Sequence, residues 1–347
     1  MASMKDIAER AGVSIATVSK VLNNQGGISQ ETAELIHSIA KELNYHPNFY
    51  ARNLKKGASR AIGVITEDLT VFNSSPIVDG IGAYCDDHGY HYFLENMRLD
   101  RLKIDPIRDV KKYNEIVRKS ISFMKALQVD GLIYLGCHSH KVLSLPEIDD
   151  THCVFAYCSS SNPNIPSVSY DDNEASFEVA NYLINAGHRS IGVITGPLAS
   201  IHTQNRLIGY QKALFNNEIP YNPKLTVNGD WGRDSGYALA KQLIDNGVTA
   251  IFAQNDLMAM GVIDYCRKIG IEVGRDLALI GFDDREICTV SRPTLSSVSL
   301  PLFEIGQTSA EILINKIENK PSELTGEILL ECKLIERESS RFVKNNT

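Results

Sequence analysis

The chain of 347 residues carries 35 Lys and Arg against 42 Asp and Glu, a net charge of −7, with 43% apolar and 22% charged side chains. That length gives room for a small head and roughly two further domains, and the composition excludes a disordered or fibrous protein. No apolar run approaches the roughly 20 residues of a membrane span, and Asp6 and Glu9 give the N-terminus a form unlike a signal peptide. The 7 cysteines lie without repeating spacing, which is expected of reduced thiols in a cytoplasmic protein.

Met4 to Leu54 sets the organisation of the rest. Ile7, Ala8 and Ala11 recur at helical spacing, as do Val18, Val21 and Leu22. Gly12 between them can take the positive φ of a tight turn. Ser14 and Ser29 stand where N-caps would open a second and a third helix. Three short helices closing on Ile7, Val18, Leu22, Ile36, Ile39 and Leu43 make a small core, and two of them joined by a short turn form a helix-turn-helix. Residues 1–60 hold eight basic against five acidic side chains, a balance of +3, which leaves −10 for the remainder. A basic head on an acidic body predicts that only the head meets phosphates.

The runs Lys5-Asp-Ile-Ala-Glu-Arg-Ala-Gly-Val-Ser, Ala16-Thr-Val-Ser-Lys-Val-Leu-Asn23, Leu43-Asn-Tyr-His-Pro-Asn48 and Ala51-Arg-Asn-Leu54 closely resemble the lactose/galactose-repressor (LacI/GalR) family. The resemblance implies that Ser14, Ile15, Ala16, Thr17, Ser19, Lys20, Asn23, Tyr45, Asn48, Ala51, Leu54 and Lys55 meet DNA. In the family, residues after the N-cap of the second helix face the major groove. Ile15 and Ala16 offer apolar contact to a thymine methyl, and Lys20 can reach guanine acceptors. Residues 47–60, from Pro47 to Gly57 and beyond, read bottom-up as a linker or a helix of about two turns, marginal alone. The resemblance makes them a hinge helix in which Leu54 wedges into the minor groove.

From Ala61 the pattern becomes strand–helix alternation. Apolar runs at Ala61, Tyr90, Asp130 and Cys153 form one set, with helices at Pro76–His88 and Val117–Leu127. Runs at Ser190, Leu225, Ala250 and Leu277 form a second. Continuous apolar strands between helices indicate parallel sheets covered on both faces. The expected fold is therefore α/β: a three-helix head (residues 1–46) and two doubly wound subdomains of periplasmic-binding-protein type within residues 61–340. The family pattern implies an N-subdomain of about 61–163 and 292–322 and a C-subdomain of about 164–291 and 323–340. In it, Arg292–Val298 recrosses to the first and Glu327–Leu334 returns to the second. Leu99–Asn114, longer than the family's usual connection, reads as a solvated loop and helix start.

Ligands of open parallel sheets bind beyond the carboxyl ends of the strands. Glu67, Asp68, Thr195, Gly196, Asp230, Trp231, Gln254, Asn255, Asp256, Asp283 and Asp284 follow the apolar runs. Asp256 and Asp284 also read as helix caps. Carboxylates and amides engage hydroxyls, and an aromatic plate covers a pyranose face. The effector set is Asp68, Phe72, Asn73, Arg206, Trp231, Asn255 and Asp283. Arg206 matches the family's effector-gripping arginine; a structural ion pair is its alternative. By resemblance the effector is a sugar or sugar derivative, with purines bound by one branch.

Cys137-His-Ser-His140 with Cys153 and Cys158 matches no zinc spacing. No phosphate-loop, dinucleotide or nucleophile-elbow motif is present, so neither a metal, a cofactor nor an enzymatic activity is expected. The expected protein is a DNA-binding regulator, most simply a repressor, acting as a homodimer on a near-palindromic operator. A sugar-binding transport protein would share the body but not the head.

Overall fold

The computed structural model describes residues 2–22, 26–45, 59–106, 108–138, 140–142, 152–321 and 324–341. Two compact units divide at Arg60 and Ala61.

The head has three helices: α1 (Met4–Ala11), α2 (Ile15–Leu22) and α3 (Gln30–Glu42). Ser3 and Asp6 form a reciprocal capping box at the start of α1, and Gly12 ends that helix at φ 64°. Ser14 Oγ accepts from the Thr17 N–H at 3.1 Å, and Ser29 caps α3 through Thr32. Ile7, Val18 and Ile36 are wholly buried at the centre, with Leu22, Leu43 and Tyr45 packed partly around them.

The second unit contains two parallel sheets. In chain order its main strands and helices are β1 (Ala61–Thr66), α4 (Ser74–His88), β2 (His91–Asn96), α5 (Val110–Ala126), β3 (Gly131–Leu135), β4 (Cys153–Ala156), β5 (Ser167–Tyr170) and α6 (Asp172–Asn185). There follow β6 (Ile191–Thr195), α7 (Ile201–Asn216), β7 (Thr226–Asn228), α8 (Arg233–Asp245), β8 (Ala250–Ala253), α9 (Asp256–Ile269) and β9 (Ala278–Ile280). The last are β10 (Ser297–Ser299), α10 (Leu302–Ile317), β11 (Glu327–Leu330) and β12 (Lys333–Ile335). The first sheet runs β11-β5-β4-β3-β1-β2 and the second β9-β8-β6-β7, every neighbouring pair parallel. The central strands β1, β3, β4, β6 and β8 are buried throughout, because helices cover both faces.

The expected subdomain boundaries are corrected at three points. Ser167–Tyr170 pairs with Phe155–Ala156, so the first lobe runs on past residue 163 to Tyr170. Ser297–Ser299 stays on the second lobe, where it pairs antiparallel with β12 and bridges to Ile280 and Asp283. The chain recrosses only at Leu300–Leu302, into α10, which packs against α4. Glu327–Leu330 then extends the first sheet beside β5 rather than joining the second. Alternating exposure along β11 explains the placement: an edge strand needs one apolar side, which Ile328 and Leu330 supply. The lobes are thus linked near residues 171, 300 and 331.

The Leu99–Asn114 stretch is more anchored than a solvated loop. Leu99 and Tyr113 are buried, and the Leu99 N–H donates to the Glu67 carbonyl at 3.0 Å.

Candidate effector cleft and DNA-reading helix

The polar residues beyond the strand ends of the second lobe converge on Arg206. It lies on α7, one turn after His202, and both side chains reach Asp172 at the first position of α6. Arg206 Nε donates to Asp172 Oδ1 at 2.6 Å, and His202 Nδ1 donates to Asp172 Oδ2 at 2.6 Å. Nη1 donates to the Gln254 carbonyl and Nη2 to Tyr170 Oη at 2.9 Å. Nη2 also lies 3.9 Å from Asp283 Oδ1, while the guanidinium sits 3.6 Å above the Phe282 ring. The fork is therefore held rigidly by its own lobe and by Tyr170, the last residue of the first lobe's β5. Burial pushes the Asp172 carboxyl up, but His202 and Arg206 overcome it and hold the group below its usual range. For Asp283 the balance is reversed: burial raises its pKa well above the ordinary value, against the pull of Arg206. Two carboxylates thus flank one guanidinium, one with its pKa held low and one with its pKa raised.

Asp283 adopts φ 109°, a backbone conformation that L side chains rarely take, and strain of this kind clusters at binding sites. Trp231 (φ 71°) lies against Gly196, where any Cβ would run into the indole, and 5.8 Å from the Arg206 guanidinium. Asn255 caps α9 by accepting from the Met258 N–H, and its amide donates to the Trp231 carbonyl, each at 2.9 Å. Its amide is thus largely spent on positioning the indole. Asp256 accepts from Ser297 Oγ at 2.6 Å and the Arg285 N–H at 2.8 Å, tying α9 to β10.

The facing wall belongs to the first lobe. Asp68 turns into its own loop, accepting from Thr70 Oγ1 at 2.6 Å and the Asp100 N–H at 3.2 Å. Phe72 lies 5.0 Å from the Arg285 guanidinium, a contact between lobes. Asn73 is buried; Nδ2 donates to the Cys137 carbonyl at 3.4 Å, and Oδ1 has no partner among the described residues. The structure therefore brings Arg206, Asp283, Trp231 and Asn255 together, and adds Tyr170, Asp172, His202 and Phe282, which sequence reasoning missed. The i, i+4 spacing of His202 and Arg206 was the signal available for one of them.

In the head, α2 presents Ile15, Ala16 and Lys20 to solvent. Ser14 serves as the cap, Thr17 and Ser19 are half-buried, and Tyr45 packs on the core. Asn23, Asn48, Ala51, Leu54 and Lys55 lie outside the described residues, as does most of the expected hinge helix.

Residues 3–48 match the family model for bacterial regulatory proteins of the lacI family, and residues 180–340 match a periplasmic binding protein-like domain. The chain is 32% identical over 343 residues to the HTH-type transcriptional repressor CytR of Escherichia coli K12, covering 98% of this chain and 96% of that one. It belongs to the lacI family. Another member, the HTH-type transcriptional repressor PurR of Haemophilus influenzae PittEE, is 29% identical over 92% of each chain. Among solved structures, the lac repressor dimer bound to operator and the anti-inducer ONPF superposes with a TM-score of 0.78 at 28% identity, covering 99% of both chains. The transcriptional regulator CelR–cellobiose complex gives 0.65 at 25% identity, covering 98% of this chain and all of that one. As a lacI-family protein, this chain is a DNA-binding transcriptional regulator with a helix-turn-helix head and an effector-binding body. Its two classes of partner are DNA and a small molecule. Among the described residues, no helix is long and apolar enough to cross a membrane.

Proposed function

We propose that this cytoplasmic repressor binds a near-palindromic operator as a homodimer and is released by a sugar or sugar derivative held between the lobes of its body. The observation that carries the reading is the Arg206 fork. Its three bonds leave donors on both terminal nitrogens uncommitted, beside an Asp283 carboxyl whose pKa burial raises. Asp283 can accept from a hydroxyl, or donate when protonated, and Oδ1 of Asn73, unpartnered among the described residues, can accept from a hydroxyl on the other side. Trp231 supplies the flat apolar plate. Family resemblance adds that such bodies take sugars, and that Ile15, Ala16 and Lys20 read bases. The relatives are transcriptional repressors, which supports the reading of a binding protein rather than an enzyme.

A second reading is a nucleoside effector, a sugar joined to a planar base. It is favoured by the rings of Tyr157, Tyr170, His202 and Phe282, whose neighbouring centroids lie between 5.6 and 6.5 Å apart. A thermal-shift screen of sugars, sugar phosphates, nucleosides and free purines against the full chain decides between them. A sugar that raises the Tm by several degrees and releases operator DNA supports the first; a shift only with base-containing compounds selects the second.

A further inference from the structure

A second buried charge lies at the ends of β1 and β3, outside the Arg206 network. Glu67 directly follows β1 and is wholly buried. Its Oε1 accepts from Tyr134 Oη at 2.8 Å and its Oε2 from the Cys137 N–H at 2.9 Å. Tyr113 Oη, on α5, stands 2.6 Å from Tyr134 Oη and donates to it. The His140 ring closes the network: Nε2 lies 3.1 Å from Glu67 Oε1, and Nδ1 lies 2.8 Å from the carbonyl oxygen of His138. A neutral imidazole has one N–H and one lone pair, so either tautomer would turn a lone pair toward an oxygen. Nε2 and Glu67 Oε1 do not meet in hydrogen-bond geometry, so the contact is one of charge: with Nδ1 donating to the carbonyl, only the imidazolium sets a positive charge rather than a lone pair against Glu67.

The segment this ring holds adjoins the cleft wall. Cys137, whose N–H is bound by Glu67, accepts from Asn73 Nδ2 through its carbonyl. We propose that His140 is a positioning residue: as an imidazolium it pairs with Glu67 and so fixes Cys137, sets Asn73 for the effector, and lets the wall loosen when it loses its proton. The consequence for effector binding rests on the cleft reading above; the clamp itself does not.

The surroundings leave His140 as the group that changes charge. Burial raises the hydroxyls of Tyr113 and Tyr134 and the thiols of Cys137 and Cys158, so all four stay neutral. Burial, aided by His202 and His140, lowers His138, while Glu67 and Asp100 pull it the other way. Burial opposes the charge on His140, but Glu67, the His138 carbonyl and Asp105 outweigh it and raise its pKa. Burial likewise opposes charge on Glu67, yet His140, Cys137 and Tyr134 hold that carboxyl low. Asp68, the next residue, is also held low by its own loop, through Thr70 and Asp100, against burial. The sign follows: the clamp is complete below the ordinary histidine value and is lost as pH rises through the raised one. On the acid side it is lost only as Glu67 protonates below its ordinary range.

The test uses the full chain without effector. Carbon-13 labelling of the histidine rings follows all 9 histidines by NMR across about pH 6 to 9, spanning the ordinary histidine value. One resonance should titrate above the ordinary value, vanish in H140Q and return toward the ordinary value in E67Q. In parallel, amide deuterium exchange of peptides covering 67–74 and 137–142 is compared between H140Q and wild type at each pH, so that intrinsic exchange chemistry cancels. The expected ratio is about tenfold faster in H140Q at neutral pH, falling toward one as the wild-type ring deprotonates. A His140 that titrates at or below the ordinary value overturns the proposal, and so does a ratio that does not change with pH, which a merely structural ring would give. If H140Q does not fold, the wild-type titration alone decides.

Discussion

At the residue scale, the cost of a buried charge dictates how the cleft can be altered. Arg206 is stable in the interior because Asp172 neutralises it and Gln254, Tyr170 and Phe282 surround it. Asp172→Ala should strand that guanidinium and lower unfolding stability by about 3–5 kcal/mol, read from urea midpoints. A loss under 1 kcal/mol would mean that Arg206 finds water or another carboxylate. In the head, exposed Lys20 can be changed without touching the core, and Lys20→Ala should cost about 1–3 kcal/mol on the preferred operator. An equal loss on random DNA would reduce Lys20 to a phosphate contact. The sequence displayed Asp283, Trp231 and Asn255 because they directly follow apolar runs, and Arg206 because its motif resembles the family's. It did not display Asp172 and Tyr170 as site residues, since nothing local reveals that Ser-Val-Ser-Tyr is a strand ending beside α7. Nor did it show that Asn255 would be largely spent as a cap.

At the element scale, legibility followed apolar continuity. Strands buried on both faces spelled themselves out as Ala-Ile-Gly-Val-Ile-Thr or Ala-Ile-Phe-Ala, and each appears where the run predicted. The strands that fixed the lobe boundaries, β5 and β11, are short or half-polar, so their partners were decided by tertiary pairing alone. Helix contacts offer a sharper test. Gly80 on α4 and Gly306 on α10 let the two backbones touch, and a Cβ on Gly306 would strike the carbonyl oxygen of Ile77. Gly306→Ala should destabilise the body by about 1–3 kcal/mol through overpacking; an unchanged urea midpoint would show that the helices can part freely. The link from α9 to β10 has a pH signature. Burial pushes Asp256 up to about 6 from its ordinary 3.8. A raised carboxyl favours the protonated folded state, so its contribution is full below the ordinary value and lost as pH rises through about 6. The Tm of wild type minus that of Asp256→Asn should therefore fall between about pH 4 and 6 and level off above. A flat difference would place the carboxyl in ordinary solvent.

At the scale of the whole molecule, the regulator must couple its cleft to DNA, and an effector does so only through its differential affinity for two states. Couplings of this kind are typically about 1–3 kcal/mol. On the reading proposed above, the three crossings near residues 171, 300 and 331 would serve as hinges; Tyr170, Asp172 and Asp283 stand beside them, where a ligand between the lobes would bear directly on closure. Asp283 is the place to break the coupling. Alanine there would have to hold a φ of 109°, which adds strain to the loss of a contact, whereas asparagine tolerates positive φ and keeps the shape. Asparagine keeps a donor and an acceptor but can neither ionise nor exchange them between its two terminal atoms. Asp283→Asn should therefore leave operator affinity within about twofold and shift the effector midpoint by tenfold or more, the loss of about 1.4 kcal/mol expected for one directed hydrogen bond. Operator retardation titrated with the active compound from the thermal-shift screen reads both quantities in one experiment. An unchanged effector midpoint would remove Asp283 from the site; loss of operator binding without effector would show that its raised carboxyl serves the fold, holding Arg206 and the lobe crossing in place.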